Sequence, residues 1–459
     1  MAPRATSPIG IIGLGRSGVA AARFLAAQGL SVIAWDVKPQ PLAPLADLPG
    51  VTTLAGPPLP VEILATCGAI LLSPGVPRAL PEIQRLIDSA IPVINDVEWL
   101  HVEVRANAPQ ARFAAITGAN GKSTVTTLIG LMLQEQGLIT ATGGNLGTPA
   151  LDLYDEGHQV YVLELSSFQL ESIDQFRAEV AVHLNLTPDH LDRYPDIRAY
   201  GAAKSRIFAN SFPGDHLVIN ADDPLLGEDR AKAEASGLQV IPFSVERAVP
   251  GGVYAYNGWL IDHRQDSPIP LLPLDQIRIR GIHNQANAAA AAAAALAMGA
   301  SRETVVATLS AFPGLAHRME PVRTLNGVDY FNDSKGTNVG ATLMSLQSFP
   351  PVSSQSGGVI LIAGGRDKKG NFSALAPVAR RVVAQTILIG EAADAIAGAL
   401  ADGPPLHRAA SMQEAVRLAR TLARPGQAVL LSPACASFDM FKNFEDRGDQ
   451  FREAVHELI

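Results

Sequence analysis

The chain has 459 residues, 47% of them apolar, which is enough for about three domains with their own cores and lies outside the disordered class. A formal charge of −8 gives no electrostatic case for nucleic acid, and the two cysteines, Cys67 and Cys435, exclude a disulfide framework or a C-x-x-C metal site. The chain opens without a leader-like apolar stretch, and the eight alanines at 288–295 are too few to cross a bilayer, so a cytoplasmic chain without membrane insertion is expected.

In chain order, residues 9–14, 31–35, 69–73 and 92–94 read as strands, with an alanine-rich helix at 18–28 closed by Gly29. They predict a doubly wound unit ending near residue 105. Gly13-x-Gly15-x-x-Gly18 follows the first strand, and Asp36 lies at the end of the second. That is a dinucleotide fingerprint, but the same geometry holds any diphosphate at a helix N-terminus, or serves only as a tight turn. The rest of the chain offers an ATP site and no hydride-transfer apparatus, which favours a diphosphate-bearing substrate. Ser73-Pro74-Gly75 either lines the same crevice or forms a plain turn.

The next unit carries the most informative stretch, Ile116-Thr117-Gly118-Ala119-Asn120-Gly121-Lys122-Ser123-Thr124. It joins an apolar run at 113–116 to a helical pattern at 125–136, the layout of a phosphate-binding loop. The glycines let backbone N–H groups close around phosphate oxygens. Lys122 brings a cation to the β/γ-phosphates, and the Ser123 hydroxyl suits Mg²⁺. An ordinary turn with a surface lysine is the bland alternative. Strands follow at 160–163, 180–184 and 216–219, then a hairpin at 253–262 around Asn257-Gly258. The alanine-rich helix at 283–298 is expected to pack closely. Glu164 ends a strand, where an acid reaches Mg²⁺ or caps the following helix. His190 is a metal or phosphate contact, or simply a packed histidine. Lys204, on a helix beginning near Asp196, reads by default as a surface charge.

A third unit begins near Gly314, with strands at 328–332, 359–363, 386–389 and 428–432 and an exposed loop at 350–358. Arg318 lies just past a hinge, where it serves as an arginine finger or a surface ion pair. Asn332-Asp333-Ser334-Lys335-Gly336-Thr337-Asn338, Gly364-Gly365-Arg366-Asp367-Lys368-Lys369-Gly370 and Ser432-Pro433-Ala434-Cys435-Ala436-Ser437-Phe438-Asp439 each end a strand. Three polar loops on one rim suit a small anionic substrate, or are merely solvated.

The order of motifs resembles the Mur ligase family over nearly the whole length. The resemblance rests on Thr-Gly-x-Asn-Gly-Lys-Ser at 117–123, Gly-Gly-Asn-Leu-Gly at 143–147, Glu-Leu-Ser-Ser-Phe-Gln at 164–169 and Thr-Pro-Asp-His-Leu-Asp-Arg at 187–193. His-Asn-x-x-Asn at 283–287 and the loops at 332–338 and 432–439 complete it, and the third-domain loops look like the D-glutamate branch. The resemblance implies an α/β chain of three domains. These are an N-terminal Rossmann-like domain for a UDP substrate (1–105), a central P-loop mononucleotide-binding domain with a mostly parallel sheet (106–313) and a C-terminal Rossmann-like domain for the amino acid (314–459). It implies an ATP-dependent ligase that adds D-glutamate to UDP-N-acetylmuramoyl-L-alanine through an acyl phosphate, in peptidoglycan precursor synthesis, acting as a monomer.

Residue by residue, Gly118, Ala119, Asn120, Gly121, Lys122, Ser123 and Thr124 would hold the ATP phosphates. Asn287 would contact adenine, and Arg318, Asp333 and Lys335 would close onto ATP. Ser123 and Glu164 would share one Mg²⁺, His190 and Lys204 a second, with Lys204 carbamylated into an oxygen ligand. Gly15, Arg16, Ser17, Asp36, Ser73 and Gly75 would hold the uridine diphosphate end, and Asn145 the middle of that substrate. Thr337, Lys368, Ser437 and Phe444 would position glutamate, Lys368 being chosen over Lys369. Two other classes stay open on the residues alone: a nicotinamide oxidoreductase, and a regulatory module with a degenerate ligase body.

Overall fold

The structure is a computed structural model that describes residues 7–459 except 146, 192, 280, 353–356 and 369. Among the described residues three sheets form, with helices joining their strands. The first contains β1 (Ile9–Ile12), β2 (Val32–Asp36), β3 (Val51–Ala55), β4 (Ala69–Leu72) and β5 (Val93–Ile94), all parallel in the order β3-β2-β1-β4-β5. β1 and β4 are buried along their whole length, as central strands covered by helices on both faces must be. Chain direction diverges between β1 and β4, and ligand crevices open at the carboxyl ends of such a pair.

The second sheet contains β6 (Arg112–Thr117), β7 (Thr140–Gly144), β8 (Val160–Glu164), β9 (Val180–His183), β10 (His216–Asn220), β11 (Gln239–Ser244), β12 (Val253–Tyr256), β13 (Trp259–Asp262) and β14 (Ile269–Pro273). Its order is β14-β13-β12-β11-β10-β9-β6-β8-β7, parallel from β7 across to β12. The Asn257-Gly258 turn makes the expected antiparallel pair of β12 and β13. Phe113, Ala114, Ala115 and Ile116 of β6 are wholly buried, each large side chain contributing roughly 1.5–3 kcal/mol. Here the divergence falls between β6 and β9.

The third sheet contains β15 (Glu320–Leu325), β16 (Val328–Asn332), β17 (Val359–Gly364), β18 (Val383–Ile389), β19 (Leu406–Arg408) and β20 (Ala428–Leu431), in the order β15-β16-β20-β17-β18-β19. Only the β15–β16 pair is antiparallel. Two apolar clusters cover its faces, one around Leu361, Leu375 and Leu430, the other around Ile362, Val416 and Phe451.

Six strands lie outside the sequence expectation. β3 is a half-exposed edge strand, β14, β15 and β19 are also edges, and β7 ends in two glycines. β11 carries Pro242, which argues against a central strand. The alanine run behaves as expected: Ala288–Ala295 are all wholly buried in the helix Ile282–Ala297.

The chain divides into two compact bodies. One comprises the chain to Leu186, Arg198–Leu271 and Ala288–Thr308; the other comprises Thr187–Ile197, Leu272–Asn287 and Leu309–Ile459. Residues 187–197 and 272–287, expected within the central domain, thus group with the C-terminal one.

Candidate active site

In the first body, the phosphate loop leaves β6 at Thr117 and enters the helix Lys122–Glu135. Gly118 has φ +151°, and a Cβ there would lie 2.9 Å from Leu184 Cβ, so only glycine fits against the end of β9. Gly121, the N-cap, is left-handed at φ 85° and supplies no side-chain cap. No N-cap side chain thus covers the first turn of the helix, the end at which an anion is favoured.

A residue that sequence reasoning passed over holds the loop. Asn185, straight after β9, accepts from Asn120 N at 2.8 Å through its Oδ1 and donates to the Asn120 carbonyl at 3.0 Å through its Nδ2. Its own carbonyl accepts from Ala119 N at 3.0 Å. The signal was available in its position, a polar side chain at the carboxyl end of the strand beside the loop strand.

Two lysines meet the loop's carbonyls. Lys122 Nζ donates to the oxygens of Gly118 at 2.9 Å and Ala119 at 3.0 Å. Lys204, on the helix Ile197–Ser205, donates to the Gly118 oxygen at 2.8 Å and sits 4.5 Å from the Tyr200 ring centre. Lys204 is 1% exposed, so the surface-charge alternative fails. Behind it, Ser205 Oγ donates to the carboxylate of buried Asp229, 2.7 Å from Oδ1 and 2.8 Å from Oδ2, and His183 Nδ1 lies 2.9 Å from Asp229 Oδ2. Burial pushes the His183 imidazole below its usual range.

Glu164 ends β8 and is buried. The helix after it is capped reciprocally by Ser166 and Gln169, so the capping alternative for Glu164 also fails. Glu164 Oε1 instead accepts from Asn145 Nδ2 at 2.7 Å. Asn145, expected at the UDP substrate, is thus also the residue that orients this carboxylate. Ser123 is buried at the start of the loop helix. A hydroxyl and a carboxylate form a hard-oxygen donor set that suits Mg²⁺, which takes few protein ligands beside phosphates and water. Among the described residues no cluster of three or more His, Cys, Asp or Glu forms a metal cage.

The other crevice of this body lies beside β1 and β4. Gly13 has φ +88°, and a Cβ would strike Val76 and Ser73; a Cβ on Gly18 would lie 2.0 Å from the Gly13 oxygen. The helix Arg16–Ala27 also begins without a side-chain cap, after Gly15. The Asp36 carboxylate accepts from Leu14 N at 2.7 Å and Lys38 N at 2.9 Å, so it closes the turn itself. Arg16 Nη1 donates to the Gly147 oxygen at 3.3 Å. Ser17 is half-buried, Ser73 lies beside Gly13, and a Cβ on Gly75 would meet nothing within 4 Å.

The second body holds the remaining expected residues. His190 is left-handed at φ 54°, its Nε2 3.8 Å from Asp189 Oδ2, which also accepts from Asn338 Nδ2 at 3.1 Å. Asn287 Nδ2 donates to Asn284 Oδ1 at 3.0 Å. The three rim loops converge: Ala434 N donates to the Gly336 oxygen, Gly364 N to the Pro433 oxygen, and Arg366 forms a bridge with Ala436. Lys335 Nζ stands 3.6 Å from the Phe444 ring centre, bringing two expected residues together. Asp333 accepts from Ser345 at 2.7 Å and Ser432 at 2.8 Å, and burial pushes its carboxyl up to about 6. The Arg318 cation acts on Asp333. Ser437 is buried, while Thr337 and Lys368 are half-buried. Leu146, Asp192 and Lys369, which belong to the quoted motifs, lie outside the described residues.

Comparison with known proteins matches three domain descriptions in sequence: Mur ligase MurD-like N-terminal domain at 7–95, Mur ligase middle domain at 116–295 and Mur ligase glutamate ligase domain at 317–435. UDP-N-acetylmuramoylalanine–D-glutamate ligase of Hahella chejuensis is 44% identical, with 98% of each chain covered. The proteins of that name from Geotalea uraniireducens and Pseudomonas fluorescens Pf-5 are 41% and 43% identical, each over 98% of this chain and 97% of theirs. Among solved structures, a pseudomurein peptide ligase type C from Methanothermus fervidus aligns with a TM-score of 0.63 at 18% identity, over 98% of this chain and 100% of its own. MurF of Acinetobacter baumannii aligns at 0.63 and 19%, over 97% and 93%. These two share the fold. With an uncapped glycine loop, a lysine at its helix start and full-length kinship of this degree, the chain belongs to the Mur ligase family.

Proposed function

We propose that this chain is an ATP-dependent ligase that joins D-glutamate to UDP-N-acetylmuramoyl-L-alanine in the making of a peptidoglycan precursor. The observation that carries this reading is the 44% identity over 98% of both chains to a ligase of that name. The uncapped helix behind the phosphate loop supports the ATP half of it. We assign residues 1–105 to the UDP substrate, 106–313 to ATP and 314–459 to the amino acid, in a monomer working in the cytoplasm.

In the reaction, the terminal alanine carboxylate attacks the γ-phosphorus of ATP and ADP leaves. The glutamate amine, having lost a proton, then attacks the acyl carbon of the acyl phosphate, and phosphate leaves as the amide forms. Loop N–H groups from Gly118 to Thr124 and the Lys122 ammonium neutralise the spreading phosphate charge. Lys122 now spends its ammonium on loop carbonyls and exchanges them for phosphate oxygens when ATP enters. Ser123 and Glu164 suit one Mg²⁺, and His190 with carbamylated Lys204 a second; such ions supply Lewis-acid polarisation of phosphate oxygens. Asn145 keeps Glu164 pointed for that role. Asn287, Arg318, Asp333 and Lys335 serve the nucleotide. Gly15, Arg16, Ser17, Asp36, Ser73 and Gly75 serve the UDP end, with Asp36 acting through the turn that it closes. Thr337, Lys368, Ser437 and Phe444 serve glutamate.

Phosphate release from ATP with UDP-N-acetylmuramoyl-L-alanine tests the reading. Release that depends on D-glutamate, and not on L-glutamate or on no amino acid, is expected. Equal release in all three, or none, overturns it.

A further inference from the structure

One buried cluster in the first body lies outside the roles given so far. His183, the last residue of β9, is wholly buried, and its Nδ1 lies 2.9 Å from Asp229 Oδ2. Asp229 stands in the first turn of the helix Gly227–Ala235 and is itself buried. The Ser205 hydroxyl lies 2.7 Å from Asp229 Oδ1 and 2.8 Å from Oδ2, and 2.9 Å from the Gly201 carbonyl one turn earlier in its own helix.

The chemistry of the three groups sets the direction of these bonds. A carboxylate only accepts, so His183 donates from Nδ1, and the Ser205 proton goes to the carboxylate, a stronger acceptor than the Gly201 carbonyl. Burial disfavours the imidazolium, so a neutral ring donates to an anion. His183 Nε2 has no hydrogen-bond partner among the described residues, so Nδ1 makes the whole polar attachment of the ring. A buried carboxylate is costly unless its oxygens are bonded, which ties Asp229 firmly to both neighbours.

Each neighbour leads to the phosphate loop. Ser205 follows Lys204, whose Nζ donates to the Gly118 carbonyl at 2.8 Å. His183 precedes the segment that holds the loop from the strand side. There Leu184 N donates to the Thr117 carbonyl at 3.0 Å, and Asn185 bonds Asn120 through its side chain and Ala119 N through its carbonyl. Asp229 is 24 residues from Ser205 and 46 from His183 in sequence, so it fixes a separation that neither element sets by itself. We infer that Asp229 is a positioning residue for the phosphate loop: through Ser205 it sets where Lys204 meets Gly118, and through His183 it sets the strand end from which Asn185 holds Ala119 and Asn120. This rests on the reading that the loop takes ATP.

The test uses the full chain and cuts one attachment at a time. Steady-state phosphate release with UDP-N-acetylmuramoyl-L-alanine and D-glutamate, calorimetric titration of ATP, and Tm are measured for each variant. Ser205→Ala cuts the Lys204 side; kcat is expected to fall about tenfold, with ATP affinity within about twofold. Ser205→Thr keeps the hydroxyl and is expected to bring kcat back to within about twofold. His183→Leu cuts the strand side; ATP is expected to bind about fivefold more weakly, with kcat within about threefold. His183→Asn places an amide N–H where Nδ1–H was and is expected to recover most of that affinity. Asp229→Asn loosens both sides, combining the lower kcat with the weaker ATP binding, and in every variant the KM for D-glutamate is expected to stay within about twofold. If Asp229→Asn does not fold, the two one-sided pairs decide. Unchanged kcat in Ser205→Ala together with unchanged ATP affinity in His183→Leu, whatever Tm does, overturns the inference. So does a change of all constants together, or no recovery in either conservative variant. Failure of the underlying reading looks different: the unaltered enzyme itself binds no ATP.

Discussion

The phosphate loop and the C-terminal rim are built on opposite plans. The loop is one run of neighbouring residues, Thr117 to Thr124, shaped by two glycines and held from outside by the neutral side chain of Asn185. Its lysines lie against carbonyls at its edge. The rim is assembled from three loops spread over residues 332–439 and is held from within by ionisable groups, Arg447 and Asp333. A loop of the first kind binds through its backbone and tolerates exchange of its lysine contacts. A rim of the second kind depends on the charge state of what is buried beneath it.

Lys122→Ala removes the cation without touching the glycines or Asn185, so kcat for D-glutamate-dependent phosphate release should fall by about 10³-fold, with Tm nearly unchanged. A fall of less than about tenfold would mean that the backbone alone does the work. Asn185→Ala removes two hydrogen bonds from the loop, each worth about 1 kcal/mol. The KM for ATP should rise roughly tenfold while the KM for the UDP substrate stays put. Asp36→Ala should invert that pattern on a smaller scale, about fivefold in the KM for the UDP substrate, because Asp36 closes the other glycine turn. Steady-state kinetics with each substrate varied in turn measures all three.

The rim should respond to pH where the loop does not. Burial raises the Asp333 carboxyl from 3.8 to about 6, so the folded chain favours its neutral form. That preference is fully present below about pH 4 and is lost as pH rises through about 6. Asp333→Asn stays neutral throughout. Its stability relative to the unaltered chain should therefore climb between pH 4 and 6.5, by at most about 3 kcal/mol, and then level off. Denaturant midpoints across that range measure it; a difference independent of pH would place the ionisation elsewhere.

The same contrast explains what could be read from the sequence. The phosphate loop was legible because all its parts are contiguous and each residue type has a steric or electrostatic reason there. The strands β1, β6, β8 and β17 were legible because burial on both faces leaves an unbroken apolar run. β3 was not, since an edge strand keeps Thr52 exposed, and β7 was not, since Gly143 is dictated by the approach of the Thr148 carbonyl. Glu164 could be placed at a strand end, but its partner Asn145 sits on a neighbouring strand's end and is joined to it only by the sheet. Lys204 looked like a surface lysine because no local pattern records that its helix packs it against Gly118. Arg447 was invisible for a like reason: a helical arginine among Glu445, Asp446 and Asp449 reads as a solvated charge until the loops at 332–338 and 432–439 fold over it.

The central claim is that the glycine turn before Lys122 grips the phosphates of a triphosphate. Calorimetric titration of Mg-ATP into the unaltered chain and into Lys122→Ala tests it most directly. Saturable binding to the first and at least about tenfold weaker binding to the second are expected; equal affinity in both, or no heat with either, rules the grip out.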